Sequence, residues 1–195
     1  MKGKYISIEG IEGIGKSFFL DKITNAFVIK DTELTEFGEK IIKTLNNDDI
    51  FYRTENPIDD VLKFFAIDLE QIEKKVKPNL KKGNVIQDRG ADTSCLYAAA
   101  QLCKGNKKEL MKEYRKLMEI RKKLGLIPEK VIILTGKFED AVKRAEKRDG
   151  KKYTEEEIGM LKLIDYGFKQ IAKDKRCFLI DVDKKDALEK INLTK

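Results

Sequence analysis

Nothing constrains the fold of this chain as tightly as residues 10–17, Gly10-Ile11-Glu12-Gly13-Ile14-Gly15-Lys16-Ser17. They fit G-x-x-x-x-G-K-[ST], a loop whose backbone amides wrap around phosphate oxygens. Glycines let consecutive N–H groups turn inward around an anion, and the N-terminus of a following helix adds partial positive charge. Such a loop needs a strand before it and a helix after it. Lys4-Tyr5-Ile6-Ser7-Ile8-Glu9 reads as a short buried strand, and Phe18, Phe19, Ile23 and Ala26 follow at helical spacing. The bland alternative is a Gly-rich strand-to-helix turn carrying a surface lysine.

The same strand–loop–helix pattern recurs in weaker form along the chain. Apolar runs of strand type lie at Tyr5–Ile8, Phe27–Ile29, Asn84–Gln87, Lys130–Leu134 and Cys177–Ile180. Helical patterns separate them at about 16–26, 36–46, 58–77, 91–103, 106–124, 138–148, 154–173 and 184–193. Alternating strands and helices predict a doubly wound α/β domain, three layers deep (α/β/α), around a five-stranded parallel sheet. With the glycine loop this is a P-loop NTPase fold. Its ligands bind at the C-terminal ends of the strands. No linker, repeat or low-complexity tract divides the 195 residues, so one domain over 1–195 is expected.

Composition removes whole classes of chemistry. The chain contains no histidine, and its three cysteines (Cys95, Cys103, Cys177) show no metal-binding spacing. Zinc sites, Cys–His nucleophiles and histidine bases are thereby set aside. No apolar run reaches the length of a membrane span, and the N-terminus lacks a secretory layout; a cytoplasmic protein with no membrane partner is expected. The net charge of +7 suits acidic small substrates. No dense basic stripe interleaved with aromatics argues for nucleic acid.

Three further groups carry candidate chemistry. Val85-Ile86-Gln87-Asp88 ends a predicted strand in an acid, followed at once by Arg89. Asp88 there is placed to hold Mg²⁺ or its water, and Arg89 to present a bidentate fork to phosphate. Arg144 and Arg148 share one helix face beside Lys143, Lys147, Lys151, Lys152 and Asp149-Gly150; this suits a mobile lid closing over phosphates, over about 144–156. Within Phe64-Phe65-Ala66-Ile67-Asp68-Leu69, an aromatic ring is available to stack on a base, although plain core is the commoner role of such a ring.

Laid out in order, these residues resemble the thymidylate kinases, a branch of the P-loop nucleoside monophosphate kinases. Glu9 through Ser17 is like the family's EGxDGxGK[ST], and Phe37-Gly38-Glu39-Lys40-Ile41 like its LGEKI. Phe65-Ala66-Ile67-Asp68 is similar to FAADR. Pro78-Asn79-Leu80, Gly83 and Val85 to Arg89 resemble PaLxxGxxVixDR. Thr93-Ser94 and Tyr97-Ala98 resemble SxxAY, and Pro128-Glu129-Lys130 to Leu134 the PDxxixLd strand that leads to an R-x-x-x-R lid.

The resemblance implies an ATP:dTMP phosphotransferase, with ATP and dTMP as its nucleotides, Mg²⁺ as its metal and a homodimer packed through the apolar face around Ile58–Ile72. It implies ATP held along Gly10, Ile11, Glu12, Gly13, Ile14, Gly15, Lys16, Ser17 and Phe18. It assigns the metal to Ser17, Asp88 and Glu12. The acceptor nucleotide falls to Glu12, Phe65, Arg89, Thr93, Ser94 and Tyr97, with Phe65 stacked on thymine. Lys16, Arg89, Arg144 and Arg148 become the catalytic cations. Three departures stand out: Leu69 occupies the place of a base-contacting arginine, Thr32-Glu33-Leu34-Thr35 replaces most of REPGG, leaving Arg53 as a stand-in cation, and Gly90 replaces the usual Tyr or His. Another small P-loop kinase with a different nucleoside or monophosphate acceptor is the alternative. A GTPase would need N-K-x-D, which Asn106-Lys107-Lys108-Glu109 only approaches.

Overall fold

The computed structural model describes residues 3–31, 33–45, 48–187 and 189–190. Strand β1 (Tyr5–Glu9) is buried along its whole length, as a central parallel strand covered on both faces must be. Beside it run β3 (Val85–Asp88) on one side and β4 (Lys130–Thr135) on the other. β2 (Phe27–Ile29) and β5 (Cys177–Asp181) form the two edges. The order is β2-β3-β1-β4-β5, with every pairing parallel. Register pairs Ile8 with Asp88 and with Ile132, so β1 and β3 finish side by side while β4 runs on to Thr135.

That order fixes where a ligand can enter. The chain leaves β1 towards β2 and β3 on one flank, then crosses to β4 and β5 on the other. Connections therefore diverge at the end of β1, and the crevice between them is the binding position of an open α/β sheet. Residues 10–15, the glycine loop, lie in this crevice.

All five expected strands form within a residue or so of their predicted ends. Helices agree less well. α1 (Lys16–Leu20) stops six residues before its apolar pattern does, with Asp21 N–H turning back to the Ser17 carbonyl. Thr24 and Asn25 downstream offer side chains that compete for backbone hydrogen bonds. α2 (Glu36–Ile42) likewise stops short of residue 46, which lies outside the described residues. The helix expected over 184–193 falls partly outside them too, as does Thr32.

The expected 58–77 helix is one continuous rod with an internal defect. α3 (Pro57–Gln71) passes into a π-helical turn, Ile72–Val76, and then α4 (Lys77–Leu80). A π turn holds one residue more than an α turn and so rotates everything beyond it. Here it sends Ile72, Val76 and Leu80 into a small core with Tyr5, Ile29 and Val85. Upstream, the helix keeps a separate face for a cavity.

α5 (Ala91–Leu102), α6 (Lys107–Leu124), α7 (Phe138–Asp149) and α8 (Glu155–Ile171) complete the layers. Thr154 and Glu157 cap α8 reciprocally, and Asn106 caps α6 by accepting from Lys108 and Glu109 N–H. The Asn106–Glu109 segment is thus a helix start. Helix α8 lies so close to α5 that a Cβ on Gly167 would sit 2.5 Å from Leu96 Cδ1. Leu96 is fully buried and has nowhere to retreat. Gly167→Ala should lower the unfolding free energy by about 1–3 kcal/mol through overpacking, measurable by urea titration.

Candidate active site

Residues 10–15 curl over the end of β1 with positive φ at Gly10 (143°), Gly13 (67°) and Gly15 (108°). Gly13 is under the strictest demand. A Cβ there would meet the Ala141 carbonyl oxygen at 2.0 Å and Ala145 N at 2.9 Å, both on the backbone of α7. The loop and α7 are therefore in direct backbone contact, which only glycine permits. The same contact delivers two arginines. Arg144 Nε donates to the Gly13 carbonyl at 2.7 Å, and Arg148 Nη2 reaches Glu12 at 3.4 Å.

Lys16 lies at the start of α1, only 7% exposed, with Nζ donating to the Gly10 and Ile11 carbonyls at 3.0 and 3.1 Å. The ammonium fills the mouth of its own loop. Burial, reinforced by the neighbouring Arg89, pushes its pKa down to about 8. Ser17 and Phe18 are exposed beside it.

Arg89 follows β3 in a left-handed backbone conformation, φ 59°. A non-glycine residue held there is strained, and such strain concentrates at functional sites. Its guanidinium is hemmed in by acids: Nη2 donates to Glu12 and Nε lies 2.9 Å from Asp31. Tyr97 accepts from Nη1 at 3.3 Å. Burial alone would raise the Glu12 pKa, but Arg89, Lys16 and Arg148 outweigh it and hold the carboxyl below its usual value. Asp88, one residue earlier, has a buried Oδ1 with no hydrogen-bond partner among the described residues. An orphaned acid oxygen is costly unless something else meets it.

Between α3, α5 and the ends of β2 and β3 opens a cavity with about 140 Å³ of free space. Glu12, Asp31 and Arg89 line it, as do Thr93, Ser94 and Tyr97 of α5. Thr93 Oγ1 is bound to Glu9, so its hydroxyl is already engaged. The aromatic wall comes from Phe51, Tyr52, Phe64 and Tyr97. Phe65, the ring expected to face a base, instead lies in the main core and is absent from the cavity wall. The reason is rotational: Val61, Phe64, Ile67, Asp68 and Gln71 form the cavity face of α3. Leu69 also turns away, its Cδ2 3.1 Å from where a Gly125 Cβ would be.

Arg53 does not stand in as a second phosphate-binding arginine of this cavity. Asp49 holds it from Nε and Nη2 at 2.9 and 2.7 Å, Glu156 takes Nη1 at 2.5 Å, and it faces a neighbouring cavity. Gly90 fits because any Cβ there would press Ser7 Cβ at 3.0 Å and Glu9 Oε1 at 3.1 Å. Residues that the sequence reading passed over include Asp31, Phe51, Tyr52, Asp68, Gln71 and Gln87. Those on loops, Asp31, Phe51 and Tyr52, carry no periodic signal at all.

A parallel sheet with a glycine loop at its divergence point, a buried lysine in that loop and arginines from two other elements define a P-loop nucleotide-binding protein. The thymidylate kinase family model matches residues 8–192, and the chain belongs to the thymidylate kinase family, whose members are ATP-dependent nucleoside monophosphate kinases. Among its relatives, a thymidylate kinase from a Thermoanaerobacter species is 28% identical over 192 residues, spanning 93% of this chain and 90% of that one. One from the Wolbachia of Brugia malayi is 29% identical over 196 residues, spanning 93% and 89%. The solved thymidylate kinase of Ehrlichia chaffeensis shares the fold, with a TM-score of 0.69 over 99% of this chain and 98% of that one, at 19% identity. Among the described residues no helix is long and apolar enough to cross a membrane.

A lysine whose free pKa is about 8 must regain its proton to pair with a triphosphate. The bound anion raises that pKa, so binding takes up a proton above pH 8 and is favoured below it. kcat/KM for the nucleotide donor should fall as pH rises through about 8, largely in KM. A pH series at fixed magnesium checks it.

Proposed function

We propose that the protein transfers the γ-phosphoryl group of ATP to dTMP, giving dTDP and ADP for dTTP synthesis, with the roles assigned below. The observation that carries the reading is the convergence of Lys16, Arg89, Arg144 and Arg148 around the mouth of one loop, with an aromatic-walled cavity opening beside Arg89. Phosphoryl transfer needs little covalent help from the protein. It needs two phosphates in line and their charge neutralised.

In this reading the backbone of residues 10–18 cradles the donor phosphates, and Lys16 leaves its two carbonyls to meet the β- and γ-oxygens. Arg89 exchanges one carboxylate, Glu12 or Asp31, for the acceptor phosphate. Arg144 and Arg148 approach the transferred group from α7 and the lid segment 144–156. The acceptor is already an anionic phosphate, so a strong base is unnecessary, in keeping with a chain that lacks histidine. Thr93, Ser94 and Tyr97 shape the acceptor cavity, while Phe64 in place of Phe65 offers its ring.

Mg²⁺ fits the oxygen donors present. Among the described residues no three metal-binding side chains converge, so the ion would rest on one or two protein oxygens plus phosphates, as Mg²⁺ commonly does. Asp88, with its orphaned oxygen, and Ser17 are the matching pair. Glu12 is occupied by Arg89 and Arg148 and contributes only if they move. Bound there, the ion would neutralise charge developing on the phosphates.

A homodimer through α3 is part of the proposal, since Ile58 and Leu62 leave 65% and 61% of their surface exposed on that helix. Leu62→Glu should then yield monomers by sedimentation velocity.

Lys16→Ala and Arg148→Ala should each lower turnover by roughly two orders of magnitude or more, as loss of comparable phosphate clamps does. ADP release measured across dTMP, dUMP, UMP, CMP and thymidine tests the acceptor. Equal rates on all of them would overturn dTMP as the substrate.

A further inference from the structure

Ile50, Phe51 and Tyr52 of the acceptor cavity wall lie on a loop outside any helix or strand, and one carboxylate braces that loop from within. Asp49 Oδ1 accepts from Phe51 N–H at 2.7 Å and from Arg53 N–H at 3.4 Å, while Oδ2 takes Arg53 Nε and Nη2 at 2.9 and 2.7 Å. Tyr52 is held at φ 56°, a left-handed conformation that costs a bulky side chain energy and persists only where its surroundings enforce it. The Arg53 guanidinium lies over the Phe51 ring, 5.5 Å from its centroid, and Phe51 packs on Tyr97 with ring centroids 5.8 Å apart.

The loop is fastened from outside at three points, each to the lid or the start of α8. Arg53 Nη1 donates to Glu156 at 2.5 Å, Ile50 N–H to Glu157 Oε1 at 3.4 Å, and Lys151 Nζ to the Asp48 carbonyl at 2.5 Å. Partners in these contacts are 103 to 107 residues apart in the chain. The same lid segment reaches the phosphate loop at its other end. Tyr153 donates to Asp149 at 2.5 Å, Asp149 pairs with Arg148, and Arg148 meets Glu12. A chain of contacts thus runs from the donor loop, through the lid, to the aromatic wall of the acceptor cavity. An exposed ion pair adds little to stability, but three ties to one internally braced loop set its position.

We propose that Arg53 is a positioning residue that straps the acceptor wall to the lid, so that donor phosphates drawing in Arg148 also seat Phe51 and Tyr52 against the acceptor nucleotide. This rests on the dTMP reading above and adds to it a coupling between the two ligands. Arg53 itself touches neither nucleotide. It acts on Phe51 through Asp49 and through the ring it covers, and Glu156 gives it its hold on the lid. Linkage makes the effect reciprocal: the donor tightens acceptor binding by the factor by which the acceptor tightens the donor. Such coupling favours the complex that holds both nucleotides, in which transfer to dTMP competes best with transfer to water.

Calorimetric titration of dTMP into the protein, alone and saturated with magnesium and β,γ-imido-ATP, reads the coupling directly. In the unaltered protein the donor analogue should tighten dTMP at least about fivefold, the lower end of common coupling between sites. Arg53→Gln should cut that factor below about twofold, while the affinity for the analogue alone changes by less than about twofold. Glu156→Ala, at a side chain 77% exposed, leaves the Asp49 brace in place and should remove part of the coupling, about two- to fivefold. A merely structural Arg53 would weaken dTMP equally with and without the analogue, and that result overturns the proposal. So does an undiminished factor in either variant, or an unaltered protein in which the two ligands bind independently. Should Arg53→Gln fail to fold, Glu156→Ala decides alone. Absence of any dTMP binding by the unaltered protein would defeat the acceptor reading as well, and shows in the first titration.

Discussion

The contact on which the rest of this structure depends is the one between Gly13 and the backbone of α7. A turn of the phosphate loop presses against a helix so closely that no side chain can intervene. Because α7 rests on the loop, Arg144 and Arg148 reach it from outside while Lys16 fills it from within. Loop shape, the position of α7 and cation placement are thus one arrangement. The architecture beneath is simpler: a wholly buried strand flanked by two others, with chain connections parting above it.

Opposed charge is the second organising theme. Four cations crowd the loop mouth, and without bound phosphate they would repel. Glu12 and Asp31 occupy Arg89, the loop carbonyls occupy Lys16, and Glu12 also meets Arg148. These internal partners resemble weak stand-ins for phosphate oxygens. They keep the cations pointed at the crevice, and in the proposed reading each gives way to a phosphate. Burial lowers the proton affinity of Lys16 for the same reason it makes the site effective: water is scarce there, and charge interactions are correspondingly stronger.

Much of this was legible in the residues, for particular reasons. Strands showed because Tyr5-Ile6-Ser7-Ile8 and Lys130-Val131-Ile132-Ile133-Leu134 are compact apolar runs bounded by glycine or polar turns. Lys16 and Ser17 were fixed by a spacing that serves a single geometry, and Asp88-Arg89 by their place at a strand end. Helix α1 is shorter than its apolar pattern because beyond Leu20 the backbone closes into turns, Lys22 and Ile23 N–H returning to the Phe19 and Leu20 carbonyls. The Phe64–Phe65 ambiguity was beyond sequence: adjacent aromatics on a helix point about 100° apart, and which one faces the cavity is set by tertiary rotation. The Asp68–Arg121 pair joins residues 53 apart in sequence, and Asp31 reaches Arg89 across two strands. No local pattern announces such meetings.

The wide π turn between α3 and α4 has a consequence for how this helix can change over evolutionary time. It sits between two clients with different demands, the cavity lined by Phe64 and Asp68 on one side and the small apolar cluster around Tyr5 on the other. The extra residue it contains is the phase correction that lets a single rod serve both. Losing one residue upstream or downstream would twist Asp68 and Phe64 out of alignment with Ile72, Val76 and Leu80, trading ligand wall for packing surface. A length change in this helix therefore disturbs the cavity wall or the small core, whereas a point substitution can alter one and spare the other.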